Sequence, residues 1–246
     1  MLPPMNVNRK WIVLLALAAT LPTAVALASG AGDRGRMGLS ARTGQWTAGS
    51  CGTTEFRTAL GGEGFLEWLG ENIRITLGAR IMRERTQSIS GDGATPPGAG
   101  DIQMTTSVLV AWRHEFFELG GGVGYLRFSD VGHATKGTLL PAASVRLGPE
   151  WLYLNTSLLD FSPENLGIGT FRLGLGGEIG RVDLWGGLGV QPHFGGPTMG
   201  VMFPVTDHLR VRFDALLGGE QGGHFSYEGG LGLSYEFVEG PMSGPL

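Results

Sequence analysis

The chain has 246 residues, with 18 Lys+Arg against 22 Asp+Glu and a net charge of −4. That balance offers no basic surface for nucleic acid, and a single cysteine, Cys51, excludes a module stapled by intrachain disulfides. Glycine is the outlier at 44 residues; it keeps no three-residue period, which excludes collagen, and it is interleaved with Leu, Val, Phe, Tyr and Trp, which excludes a disordered linker.

In chain order, Arg9 and Lys10 precede an apolar run from Trp11 to Ala19. Small residues follow Pro22, and Ala26-Leu27-Ala28 fits a small-x-small cleavage site. This is the pattern of a secretory signal peptide over residues 1–28. The apolar run is too short to span about 30 Å of hydrocarbon. Residues 29–35 are read as an N-terminal lead. Cys51 lies too far beyond the apolar core to be a lipidated N-terminus.

Period-two alternation then dominates. In 72–85, Ile73, Ile75, Leu77, Ala79 and Ile81 fall on one face, while Arg74, Thr76, Gly78 and Arg80 fall on the other. The same rhythm runs through 168–178, 207–217 and 224–237, and weaker versions fill 56–69, 101–113, 115–127, 139–147, 150–158, 181–191 and 197–204. Tight turns at 69–71, 113–115, 148–149, 180–181 and 204–207 alternate with longer links at 86–100, 128–138, 159–167, 192–196 and 218–223. Short turns at one rim and long loops at the other are the habit of a membrane barrel. With both termini at the short-turn rim, one more strand must precede residue 56; 36–46 is the candidate, and 47–55 becomes the first long loop. The expected fold is all-β, a closed antiparallel transmembrane β-barrel of about twelve strands over 36–237, followed by a short tail at 238–246. Ten strands is the alternative, because 36–46 and 193–204 are the weakest periodic segments. Closure removes the sheet edges that lipid would leave unpaired.

A soluble fold also alternates, but its polar face meets water and carries long Lys and Glu side chains. Here that face is rich in Gly, Ser and Thr with spaced Arg and acids, which suits a crowded lumen. The candidate lumen lining is Glu63, Glu67, Arg74, Arg80, Glu118, Arg172, Glu178, Asp183, Arg210, Arg212, Asp214, Glu228 and Glu236. The arginines of this set are expected to pair with its acids, since an unpaired charge away from water is costly. The opposite face carries Trp68, Trp112, Phe117, Tyr125, Phe203, Phe225, Tyr235 and Phe237 toward strand ends, in the manner of an aromatic girdle.

On these features the chain resembles the small outer-membrane β-barrel proteins of Gram-negative bacteria, over roughly residues 36–237. The resemblance implies outer-membrane lipid as its surroundings and the barrel-assembly machinery as a partner during biogenesis. Members of that class often end on an aromatic residue, whereas here Phe237 is followed by nine further residues, 238–246.

No sequence motif for chemistry stands out. His114 and His208 sit in or beside short turns and read as solvated. His224, Ser226 and Glu228 share a strand face, but neighbours at i and i+2 lie about 6.5–7 Å apart, so a nucleophilic triad is poorly served and polar lumen lining is the plainer reading. No enzyme, cofactor or metal is therefore expected. Three functions remain open: a passive conduit for a small solute with little ion selectivity, a structural or adhesive barrel with a charge-filled lumen, and a lipid hydrolase at the lumen rim. Twelve strands leave a bore that something must occupy, either water, a ligand or an inward-folded segment such as 29–55. The loops at 86–100, 128–138 and 159–167 are expected to be exposed outside the cell, with both termini periplasmic.

Overall fold

The computed structural model describes residues 34–50, 53–90, 93–94, 102–129, 136–163, 165–219 and 225–238. The segment 1–28, read from sequence as a signal peptide, together with Cys51, His133, His224 and the tail from 239 onward, lies outside the described residues.

The strands are β1 (Arg34–Ser50), β2 (Thr53–Leu69), β3 (Ile73–Ser90), β4 (Gly93–Ala94), β5 (Ile102–His114), β6 (Phe117–Ser129) and β7 (Lys136–Leu147). They continue as β8 (Tyr153–Leu158), β9 (Phe171–Ile179), β10 (Val182–Val190), β11 (Gly195–Pro204), β12 (Leu209–Gly219) and β13 (Phe225–Val238). Each pairs antiparallel with its neighbour, and β1 closes on β13 from Arg34↔Val238 to Gln45↔Tyr227. The two residues of β4 only fold back on the end of β3. Twelve strands among the described residues thus close an antiparallel barrel.

Alternation sets the two faces. On β3, Arg74, Thr76, Gly78, Met82 and Glu84 are buried toward the bore, while Ile73, Arg83 and Arg85 are exposed. The outer surface is apolar: Leu39, Leu119, Leu139, Leu175, Leu188 and Leu231 are all more than half exposed. A water-filled surrounding would leave these side chains unburied. A bilayer solvates them, and closure leaves no sheet edge facing lipid.

The first hairpin differs from the sequence expectation. Strand β1 runs over 34–50, not 36–46, and β2 begins at Thr53, so 47–50 and 53–55 of the expected long loop are strand, with Ser50 in register with Thr53. Both strands have 17 residues and β3 has 18, whereas β8 has 6 and β9 and β10 have 9 each. The barrel therefore has a tall wall at β1–β3 and a low wall at β8–β10. The chain enters the bore over the low wall.

Candidate functional site

Residues 159–163 and 165–170, between β8 and β9, fold into the bore. Leu159, Leu166 and Ile168 are within 2 % of full burial, and Ser162 is completely buried. Local chemistry shapes the turn. Asp160 Oδ1 accepts the Ser162 N–H at 2.9 Å, an Asx-type turn, and the Asn165 side-chain amide donates to Ser162 Oγ at 3.1 Å and to Asp160 Oδ2. Leu159 at φ 54 and Gly167 at φ 84 redirect the chain, and the Leu159 N–H closes the neck on Thr170 O at 2.8 Å. The result is a compact loop with its ends together, folded inward.

The expectation that 159–167 is exposed outside is therefore corrected. The physical reason is apolar content. Leu159 packs with Leu109, Ala111 and Ala142 inside the barrel, and Leu166 packs with Tyr153, Trp185 and Met202. Burial of such side chains is worth about 1.5–3 kcal/mol each. Two glycines make the seats: a Cβ on Gly78 would overlap the Phe161 side chain, and one on Gly200 would lie 2.7 Å from Leu166 Cβ and 2.6 Å from the Gly167 nitrogen. The suggested N-terminal plug over 29–55 is corrected by the same structure, since 34–50 and the residues from Thr53 onward belong to the wall.

Polar groups on distant strands grip the plug. Arg74 on β3 reaches across to Asp160, Nη2 to Oδ2 at 2.9 Å and Nη1 to Oδ1 at 3.3 Å. It also meets Glu67 at 3.3 Å and Glu118. Glu67 pairs in turn with Arg36 at 2.7 Å, and Glu118 with Arg113 at 3.2 Å. Three arginines and three acids thus form one balanced cluster spanning β1, β2, β3, β5, β6 and the plug. A second cluster holds Arg42 with Glu63 at 2.7 Å and Asp214 at 3.3 Å, Arg212 with Asp214 at 2.5 Å, and Arg80 with Glu228 at 2.5 Å. With Arg172 included, this cluster has one more base than acid. The plug backbone supplies the missing negative density. Arg172 donates to the carbonyls of Asp160, Asn165 and Gly167, and Arg212 donates to those of Asn165 and Gly167 at 3.2 and 3.4 Å. In the opposite sense, the Gly167 N–H donates to Asp214 Oδ1 at 2.6 Å and the Ile168 N–H to Thr198 Oγ1 at 2.8 Å.

Two slivers of space, about 20 and 10 Å³, lie beside the plug. Below it, at the short-turn rim, lies an open vestibule of about 640 Å³. Five arginines and five acids line it, among them Glu178, Asp183, Arg210 and Glu236. Arg210 pairs there with Asp183 at 2.9 Å, and Arg34 with Glu236 at 3.7 Å. At the opposite rim the short link after β10 turns inward. His193 stacks on Trp46 with ring centroids 5.1 Å apart and meets Glu84 at 3.2 Å, and Phe194 packs on the same tryptophan.

The residues singled out from sequence fall into two groups. Glu63, Glu67, Arg74, Arg80, Glu118, Arg172, Arg212, Asp214 and Glu228 surround the plug, and Glu178, Asp183, Arg210 and Glu236 line the vestibule. Arg172 was expected to meet an acid and meets carbonyls instead, because the plug, not the wall, faces it. Sequence reasoning missed Arg36, Arg42, Asp160 and Asn165. Arg36 and Arg42 share the even phase of β1 opposite Met37, Leu39 and Ala41, a signal that was available; Asp160 and Asn165 had been assigned to an external loop and carried none. Of the three residues weighed as a triad, His224 lies outside the described residues, Ser226 is fully buried, and Glu228 is engaged by Arg80 and by Gln191 at 3.1 Å.

No protein-family model and no curated protein matches this chain. Solved structures do. The transport unit of the autotransporter AIDA-I from Escherichia coli is 12 % identical, covers 89 % of this chain and 98 % of its own, and superposes with a TM-score of 0.52. The outer membrane phospholipase of Salmonella typhi, solved as a dimer with bound calcium, is 12 % identical over 83 % of this chain and 90 % of its own, at a TM-score of 0.40. The beta domain of the Bordetella autotransporter Brka is 14 % identical over 85 % and 100 %, at 0.45. At such identities the shared feature is the fold. The closed barrel and its apolar outer surface, with the AIDA-I transport unit alike in fold, define an outer-membrane β-barrel protein of the Gram-negative class. The exclusion of enzymatic activity is corrected: barrels matching this chain include outer-membrane phospholipase A, an enzyme, and at 11–12 % identity and TM-scores of 0.39–0.40 the likeness is one of fold and assigns no activity to this chain.

Proposed function

We propose that the barrel is a small-solute conduit that rests closed, with residues 159–170 as its closing element. The observation that carries this reading is that, midway along the bore, the space between the walls is taken up by residues 159–163 and 165–170, a segment folded in from between β8 and β9. A segment joined to the wall at one neck can move as a unit, whereas a bore filled from every strand cannot. The vestibule supports the reading, because a solute-accessible chamber runs in from the short-turn rim as far as Tyr153 and Met202, against which Leu166 of the plug packs. Its matched arginines and acids favour neither ion sign, so an open state would be weakly selective. With the termini periplasmic, the vestibule opens toward the periplasm. Outer-membrane lipid surrounds the wall, and the assembly machinery of that membrane is the expected partner in biogenesis.

One observation favours the structural alternative. The Arg74–Asp160 contact ties the plug to the far wall, and breaking a buried ion pair costs about 3–5 kcal/mol. Single-channel recording in a planar bilayer separates the two. The full-length refolded protein should be silent or open rarely. A variant with 160–168 replaced by a short Gly-Ser turn should give stable conductance steps. Continued silence of that variant, with its folded barrel verified by heat-modifiable gel mobility, would overturn the conduit and leave the structural reading.

A further inference from the structure

The outer wall carries a charge pattern of its own, independent of whether the bore conducts. Among the described strand side chains on the lipid-facing phase, the only Asp, Glu, Lys or Arg residues are Arg83, Arg85 and Arg127. Their outward direction follows from alternation: Met82 and Glu84 on β3 are buried, as is Gly124 on β6. None of the three has an acidic partner among the described residues.

Their height is shared. Arg83 stands ten residues beyond Ile73, the start of β3, and Arg127 ten beyond Phe117, the start of β6. At a rise of about 3.3 Å per residue and a tilt near 40°, both lie about 25 Å from the short-turn rim, the height of the apolar band of an outer-membrane barrel. Arg85 stands one pleat further out. Strand β5 lies between them, with Ile102 in register with Arg83 and Met104 in register with Arg127. From that register, with strands about 4.8 Å apart, the Cα atoms of Arg83 and Arg127 are roughly 12 Å apart. Below the arginines the same surface is apolar, with Val108, Val110, Val123 and Tyr125 exposed.

With the short-turn rim periplasmic, as in the function proposed above, we propose that Arg83, Arg85 and Arg127 form a binding site for the phosphorylated sugar headgroup of the outer-leaflet glycolipid, whose acyl chains lie along the apolar surface beneath. General solvation at the interface would admit either sign of charge. The chain has 22 acids, yet none of its described acids occupies this face. Arginine suits the task because its planar fork donates paired hydrogen bonds to phosphate oxygens and is weakly hydrated. The roughly 12 Å spacing lets two forks engage phosphates at opposite ends of a disaccharide, with the third arginine beside them.

The test uses the full-length refolded protein in zwitterionic detergent, titrated with purified diphosphoryl lipid A and read by native mass spectrometry. Wild type should retain the lipid. The R83Q/R85Q/R127Q variant should lose at least ten-fold in affinity, while R34Q/R181Q, which removes arginines at the opposite rim, should not. Lipid A stripped of both phosphates should not be retained, and millimolar inorganic phosphate should not displace the intact lipid. Heat-modifiable mobility verifies that each variant is folded, and R83K/R85K/R127K should recover part of the affinity. Equal retention by the glutamine variant, or equal retention of the dephosphorylated lipid, would overturn the site. Displacement by inorganic phosphate would overturn the lipid assignment in favour of a free-anion site.

Discussion

The middle of the bore and the vestibule below it are lined by the same chemistry, arginine and carboxylate in near-equal number, yet one is filled and the other is open. In the vestibule the pairs are partly hydrated: the Arg210 and Asp183 side chains are 31 % and 19 % exposed. In the middle, Arg74, Glu67 and Asp160 are at most 1 % exposed. Wall composition therefore does not decide whether this barrel is open. What decides is the loop, which brings apolar side chains, an acid and oriented backbone groups to the one level where the wall is short of acid. The comparison also explains why ion pairs of similar geometry should differ in worth. Removing one partner of a buried pair strands the other, at about 3–5 kcal/mol, while exposed pairs contribute about 0–1 kcal/mol.

The largest expected effect breaks the comparison outright. Removing the plug by replacing 160–168 should make the middle resemble the vestibule, turning a silent barrel into a conducting one. Next comes Arg74→Ala, which leaves Glu67, Glu118 and Asp160 gathered without their central cation. Its urea midpoint in lipid vesicles should fall by more than any vestibule substitution, with a loss at or above the ~3–5 kcal/mol of one broken buried pair. A loss below ~1 kcal/mol would mean that water already reaches the cluster. Gly200→Val is a smaller perturbation, aimed at packing: the new side chain must displace Leu166 and the backbone at Gly167. The barrel should stay folded with brief openings in bilayer recordings, at a cost of about 1–3 kcal/mol typical of overpacking. Smallest is Arg210→Ala in the vestibule, where a change of about 0–1 kcal/mol and no new conductance are expected. If Arg210→Ala were as damaging as Arg74→Ala, the distinction between the two levels would fail.

Much of the wall was legible from local pattern. Ile73, Ile75 and Leu77 against Arg74, Thr76 and Gly78 state which face meets lipid, because side chains alternate along any strand. Glycines on the polar phase were legible as small, but not what they make room for: Gly230 lies under the Arg42 guanidinium, Gly176 under Tyr153 and Gly174 beside Trp185. The 47–55 stretch was misassigned because Thr, Ala, Gly and Ser carry little periodic signal; it is the pairing of 47–50 with 53–56, and of 54–56 with 87–89 on β3, that carries β1 and β2 into it.

By itself the sequence determined the closed antiparallel barrel and the sign of each face, and narrowed the strand number to twelve or ten, since these follow from a period of two, loop lengths and the need to satisfy every backbone group in lipid. Only the tertiary structure decided that 159–170 turns inward. A segment with Pro, Asn and two glycines reads as a loop in either direction. Its direction depends on Arg74, Gly78, Thr198, Gly200 and Asp214, which lie far apart in the chain and meet at one level only once the barrel has closed.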